Sequence, residues 1–209
     1  MTLDFRDFAS TWSLEHGGAS TSGVVGGWLR LSHRMAQVLS AARITPNSVT
    51  YFGVVLAAGT AYYSPHWWIA FLLLFSLLCD GVDGSIAIVQ NRVSKFGATL
   101  DSVADRISEA FWAVAFYRLG APLTWVAALW LVAALQEYAR ARLGSAGVRL
   151  IGVITPAERP VRAIILFIAI LAAQFDSTAN WLNEIAIAMT LLQTFSFGLV
   201  VRFARKNLN

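Results

Sequence analysis

The sequence predicts an all-α membrane protein: six transmembrane helices preceded by an amphipathic helix in the membrane interface. Three observations carry this. Of 209 residues, 57% are hydrophobic and only 13% are charged, where a soluble domain needs a more polar surface. Uncharged apolar runs recur at Val49–Tyr63, Trp67–Cys79, Leu123–Leu135 and Ala163–Gln174, which points to lipid as the solvent. The basic residues fall mostly between these runs, as cytoplasmic loops of membrane proteins require.

Residues 1–24 are polar, with Gly and Ser concentrated over Gly17–Gly23, and read as a flexible N-terminal tail. The tail holds no basic region leading into an apolar stretch, so no signal peptide is expected. Over 25–44, Trp28, Leu29, Leu31, Met35, Val38 and Leu39 alternate with Arg30, His33, Arg34 and Arg43; that pattern suits a juxtamembrane helix lying in the interface. Residues 45–209 are expected to form the six-helix transmembrane domain. Its spans are placed at 47–63, 66–90, 95–118, 122–143, 157–174 and 181–203. The breaks fall at Ser64-Pro65, Asn91–Ser94, Gly120–Pro122, Ser145–Pro156 and Asp176–Asn180.

Charge then sets orientation. Arg30, Arg34 and Arg43, then Arg92 and Lys95, then Arg140, Arg142, Arg149, Arg159 and Arg162, and finally Arg202, Arg205 and Lys206 share one side, against Arg118 on the other. Both termini are therefore expected in the cytoplasm, with Trp67, Trp68 and Trp181 at the far interface. A pI of 9.6 would fit nucleic acid, but placement between apolar runs argues for a membrane surface and no nucleic-acid partner. Cys79 is the sole cysteine, so no intramolecular disulfide is available, and it reads as a small core residue. His16, His33 and His66 are scattered and give zinc or nucleophile chemistry no support.

Acidic residues are rare, yet Asp80, Asp83, Asp101, Asp105 and Glu109 fall on two predicted spans. A charge at mid-membrane costs ~2.5–3.5 kcal/mol on insertion scales, so something must offset the cluster. Asp80 and Asp83 are three apart and Asp101 and Asp105 four apart, each pair on one helix face. A short turn over Gln90–Lys95 brings the two helices side by side. Converging carboxylates repel unless cations bind, and all-oxygen ligands select Mg²⁺, Mn²⁺ or Ca²⁺. Two such ions suit in-line phosphoryl chemistry. Gly84 and Gly97 flank the acids and fit either close helix packing or close approach of a ligand.

Asp80-x2-Asp83-Gly84-x2-Ala87 … Gly97-x3-Asp101-x3-Asp105 resembles the motif of the CDP-alcohol phosphotransferases. One position departs from the family pattern: an arginine normally follows the alanine, and here Ile88 does. Arg92, a turn on, or Arg106 could supply the missing charge. The resemblance implies that Asp80, Asp83, Asp101 and Asp105 hold two divalent cations, Mg²⁺ or Mn²⁺. It also implies that Asp105 is the general base, and that Gly84, Ala87, Gly97 and Arg92 border the nucleotide of CDP-diacylglycerol. A homodimer in a bacterial-type plasma membrane, with the active site facing the cytoplasm, follows from the same likeness.

Tyr138-Ala-Arg140-Ala-Arg142 and Glu158-Arg159-Pro160-x-Arg162 are similar to stretches of the actinobacterial phosphatidylinositol-phosphate synthases. That likeness implies an acceptor phosphate held by Arg140, Arg162 and Arg202, with Arg159 beside them. The expected reaction is transfer of a phosphatidyl group to inositol phosphate or glycerol 3-phosphate, with release of CMP. Cardiolipin synthesis from phosphatidylglycerol, a transporter and an inactive relative remain alternatives.

Overall fold

The computed structural model describes residues 3–148, 154–175 and 181–208. Among these are eight helices and no strand: α1 (Phe5–Glu15), α2 (Gly23–Ala41), α3 (Pro46–Tyr62), α4 (Ile69–Val89), α5 (Lys95–Leu119), α6 (Leu123–Ser145), α7 (Arg159–Ala172) and α8 (Trp181–Leu208). Helices α3 to α8 fall on the six predicted segments. Two of them, α4 and α8, are long and apolar enough to cross a membrane by length and composition. Arg149 and the Asp176–Asn180 break lie outside the described residues, as do residues 149–153 of the Ser145–Pro156 break.

Local chemistry sets the helix ends that matter for the site. Thr45 Oγ1 accepts from the Ser48 N–H at 3.3 Å, and Pro46, which has no N–H to satisfy, opens α3. Past the end of α4, Asn91 takes a left-handed conformation, φ +52°, which breaks the helix at little steric penalty for Asn. Ser94 Oγ then accepts from the Gly97 N–H at 3.0 Å and caps α5. The chain thus reverses within a few residues between the two acidic helices.

The residues group into two compact units. The first comprises Met1–Val55 and Phe75–Ile107, the second Leu56–Leu74 and Ser108–Asn209. In the first, Val49, Ala36, Val82 and Ile86 form a buried cluster, with Trp28 and Cys79 packed against it. Gln90 Nε2 donates to the Ile44 carbonyl at 2.7 Å and so ties the end of α4 to the α2–α3 connection.

The expected loose tail over 1–24 is helical over Phe5–Glu15. Its own sequence is a poor helix former, and packing supplies what propensity lacks. Phe8 is fully buried with Leu29 and Ile88, and the His33 ring nitrogen Nε2 lies 3.0 Å from the Leu3 carbonyl oxygen. The Gly-Ser stretch that follows does turn, with Gly17 and Gly18 at φ +69° and +92°.

In the second unit α6 packs along α8. Between them Gln193 Nε2 donates to Gln136 Oε1 at 3.0 Å, and both residues are fully buried, so each satisfies the other. Buried alanines at 133, 169 and 186 let backbones approach closely, as small residues do between membrane helices. Arg118 donates to the Ala61 and Tyr62 carbonyls and neutralises the end of α3.

Candidate active site

The spacing of acids on α4 and α5 becomes a cluster in space. One carboxylate oxygen from each of Asp80, Asp101 and Asp105 lies within 4.8 Å of the other two, and all three residues are partly exposed. Arg106 stands 3.7 Å from Asp105. Asp83 is not one of this trio. It is 5% exposed, its Oδ2 accepts from Thr50 Oγ1 at 2.5 Å, and its Oδ1 accepts from the Gly84 N–H at 2.6 Å. Glu109, two helical turns below Asp101, belongs to the second unit and serves an arginine there. The donor set is all oxygen, anionic and open to solvent, which fits a hard divalent cation.

All four aspartates line one open cavity of about 460 Å³, together with Gly84, Ala87, Arg92 and Gly97. That volume lies within the range of small-ligand sites. A Cβ built on Gly84 meets nothing within 4 Å, whereas one on Gly97 would lie 3.1 Å from Ser94 Oγ. Gly84 therefore opens the cavity and packs against no neighbour, and Gly97 accommodates the α5 cap. Ile88, at the position of departure from the motif, is 7% exposed among apolar side chains.

Sequence reasoning missed Asn47, Thr50, Trp12, Glu15, His16 and Trp28, which also border the cavity. Trp28 lies so close over Gly81 that a Cβ there would come within 2.5 Å of its ring. The only sequence signal for this is a glycine between two aspartates, which identifies no partner.

Two arginines of the second unit, Arg140 and Arg162, are engaged with acids. Arg140 donates to both carboxylate oxygens of Glu158, at 2.9 and 2.6 Å, and to Glu137 at 2.9 Å. Glu158 in turn accepts from the Thr155 N–H at 2.8 Å. Arg162 pairs with Glu109 and donates to the Ala157 carbonyl and to Gln193. The Arg159 guanidinium lies over the Trp112 ring, 5.0 Å from its centre. Arg202 is exposed near the end of α8. The cavity beside Glu109 and Arg162 measures about 50 Å³, room for water and not for a headgroup.

Residues 35–195 match the family model described as CDP-alcohol phosphatidyltransferase, and the chain belongs to that family of transferases. An archaetidylinositol phosphate synthase of Pyrococcus horikoshii is 36% identical over 144 residues, 65% of this chain and 74% of that protein. A phosphatidylinositol phosphate synthase of Mycolicibacterium smegmatis is 30% identical over 187 residues, 79% of this chain and 82% of the relative. The fold is shared with the crystal structure of the Mycobacterium tuberculosis phosphatidylinositol phosphate synthase with CDP-DAG bound: TM-score 0.65 and 24% identity, over 83% of this chain and 91% of that one. Another structure of that synthase, in complex with manganese and citrate, superposes with a TM-score of 0.64 and 24% identity, over 82% and 86%.

Proposed function

We propose that this protein transfers the phosphatidyl group of CDP-diacylglycerol to a phosphorylated polyol, inositol phosphate in preference to glycerol 3-phosphate, and releases CMP. The observation that carries the reading is the convergence of Asp80, Asp101 and Asp105 on a cavity whose wall is kept low by Gly84. The relatives named for inositol phosphate lipids support that acceptor.

Asp80, Asp83, Asp101 and Asp105 would hold two divalent cations, Mg²⁺ or Mn²⁺, whose chemistry is to neutralise the diphosphate and the charge that develops on transfer. Both oxygens of Asp83 already accept a hydrogen bond, which fixes the carboxylate while leaving a further lone pair on each. Asp105 takes the proton of the acceptor hydroxyl as that oxygen bonds to the lipid-side phosphorus and the bond to CMP breaks. Gly84, Ala87, Gly97 and Arg92 border the nucleotide. The likeness to the synthases supports Arg140, Arg159, Arg162 and Arg202 as the donors for the acceptor phosphate; Arg140 and Arg162 would have to exchange Glu158 and Glu109 for it.

The setting is an integral membrane domain over residues 45–209, with α3 to α8 as six spans and α2 in the interface. Each span carries large apolar side chains on one outward face, at one-turn spacing: Phe52 and Val55, Phe71 and Phe75, Val103 and Ile107, Leu131 and Leu135, Ile164 and Ile168, Leu191 and Phe195. In water such faces would be liabilities; in lipid they are solvated. The distribution of basic residues supports a cytoplasmic side for both termini and the site, and the family likeness is the support for a homodimer.

The test is CMP release by the purified protein with CDP-diacylglycerol and Mg²⁺ or Mn²⁺. The acceptor panel holds inositol phosphate, glycerol 3-phosphate, phosphatidylglycerol and free inositol. Release with inositol phosphate is expected, reduced about 10³-fold in Asp101→Asn, since a lost cation ligand forfeits several kcal/mol. Equal release from the variant would overturn the site, and release with phosphatidylglycerol alone would replace the acceptor.

A further inference from the structure

Helix α1 precedes the family match, which begins at residue 35, yet it borders the carboxylate cavity. Its Trp12, Glu15 and His16 face that cavity, as does Trp28 of α2. Trp12 and His16 are stacked, ring centres 4.0 Å apart and planes 17° from parallel, and the His16 ring nitrogen Nδ1 sits 2.8 Å from the Trp12 carbonyl oxygen. The pair is thus one preformed aromatic surface. What holds it there is apolar: Phe8 is fully buried against Leu29 and Ile88. Ile88 packs in this cluster and also borders the cavity.

We propose that α1 is a wall of the nucleotide subsite, with Trp12 and His16 touching the base and ribose of the cytidine diphosphate group and Ile88 docking the helix in place. This rests on the proposed function. Within one cavity the chemistry apportions itself. The diphosphate follows the cations held by the aspartates and the positive charge of Arg92. Glu15 repels phosphate from the α1 side. The base and ribose are left to the aromatic side chains, and base–aromatic stacking is worth ~1–3 kcal/mol per base.

The experiment measures binding of CDP and of CDP-diacylglycerol, with Mn²⁺ present, to the full-length protein and its variants. Binding of Mn²⁺ alone is measured alongside. Trp12→Ala and His16→Ala are expected to weaken both ligands about tenfold, in line with loss of one stacking contact, while Mn²⁺ binding is unchanged. Trp12→Phe restores most of the affinity. Phe8→Ala, which removes the buried anchor of α1, matches Trp12→Ala, and Leu14→Ala, 79% exposed on the same helix, has no effect. Unchanged CDP affinity in Trp12→Ala, beside loss of binding in Asp101→Asn, would overturn the role of α1 and leave the proposed function standing. So would a loss confined to CDP-diacylglycerol, which places the contact on the lipid, or a parallel loss of Mn²⁺, which marks a collapsed cavity. A wild-type protein that binds Mn²⁺ but neither nucleotide ligand would overturn both readings.

Discussion

Two regions of the molecule handle clustered charge in opposite ways. In the first unit, three carboxylates are drawn within 4.8 Å of one another, an arrangement that like charges resist. In the second, Arg162 meets Glu109 and Arg140 meets Glu158, each with further hydrogen bonds. Arg140 and Arg162 of the second region thus each have a carboxylate partner within the protein. In the first, the clustered oxygens are all anionic and border an open cavity, a donor set that suits a divalent cation. A site poised for a ligand and a pair that holds helices together can therefore be told apart by what happens when one charge is neutralised.

The largest effect belongs to the matched region. Glu109→Gln keeps the shape and removes the charge, leaving the Arg162 guanidinium with side chains only 9% and 5% exposed at the original pair. Losing one partner of a buried ion pair costs roughly 3–5 kcal/mol. Thermal unfolding of the variant in detergent should show it as a fall in midpoint, at roughly 2–4 °C per kcal/mol for a chain of this size. An unchanged midpoint would mean that the pair is solvated and that the contrast between the regions is overstated.

At the carboxylate cluster the sign reverses. Two unit charges 4.8 Å apart repel by roughly 1 kcal/mol in water and 3 kcal/mol at the effective dielectric near a protein surface. Asp101→Asn should therefore raise the unfolding midpoint of protein stripped of divalent ions with a chelator. Adding Mn²⁺ should then raise the midpoint of the wild type, because a ligand that binds only the folded state stabilises it, and raise that of the variant far less. A variant that melts below the stripped wild type would show that Asp101 serves the fold, and the comparison would collapse.

The sequence makes one of these regions readable and hides the other for a physical reason. The carboxylates are local: Asp80 and Asp83, then Asp101 and Asp105, announce their shared faces by spacing alone, and the turn at Asn91 joins them. Helices α3, α4, α6 and α7 are likewise marked by uncharged apolar runs. Arg162 and Glu109 are 53 residues apart and Arg140 and Glu158 are 18 apart, so no periodicity links them, and the arginines read as unpaired donors. Helix α1 is hidden for the same reason. Its eleven residues mix charge, hydroxyl and aromatic groups, and only burial of Phe8 against Leu29 and Ile88 makes them a helix. The sequence marks Ile88 as a departure from the motif; the packing partner that explains it lies 80 residues earlier, at Phe8.

Gly84 offers the finest test of the contrast, because its two readings differ in sign. A glycine kept for helix packing loses stability when a methyl is added, since the neighbour must move. A Cβ on Gly84 meets nothing within 4 Å, and the residue is inside α4, where alanine is preferred over glycine by roughly 0.5–1 kcal/mol. Gly84→Ala should therefore leave the unfolding midpoint unchanged or raise it slightly, while CDP affinity falls, because the methyl enters space that the ligand would occupy. The two measurements are made on one sample, so a misfolded preparation declares itself in the first. A drop in stability with CDP affinity intact would return Gly84 to the helix interface and leave the carboxylates alone to define the site.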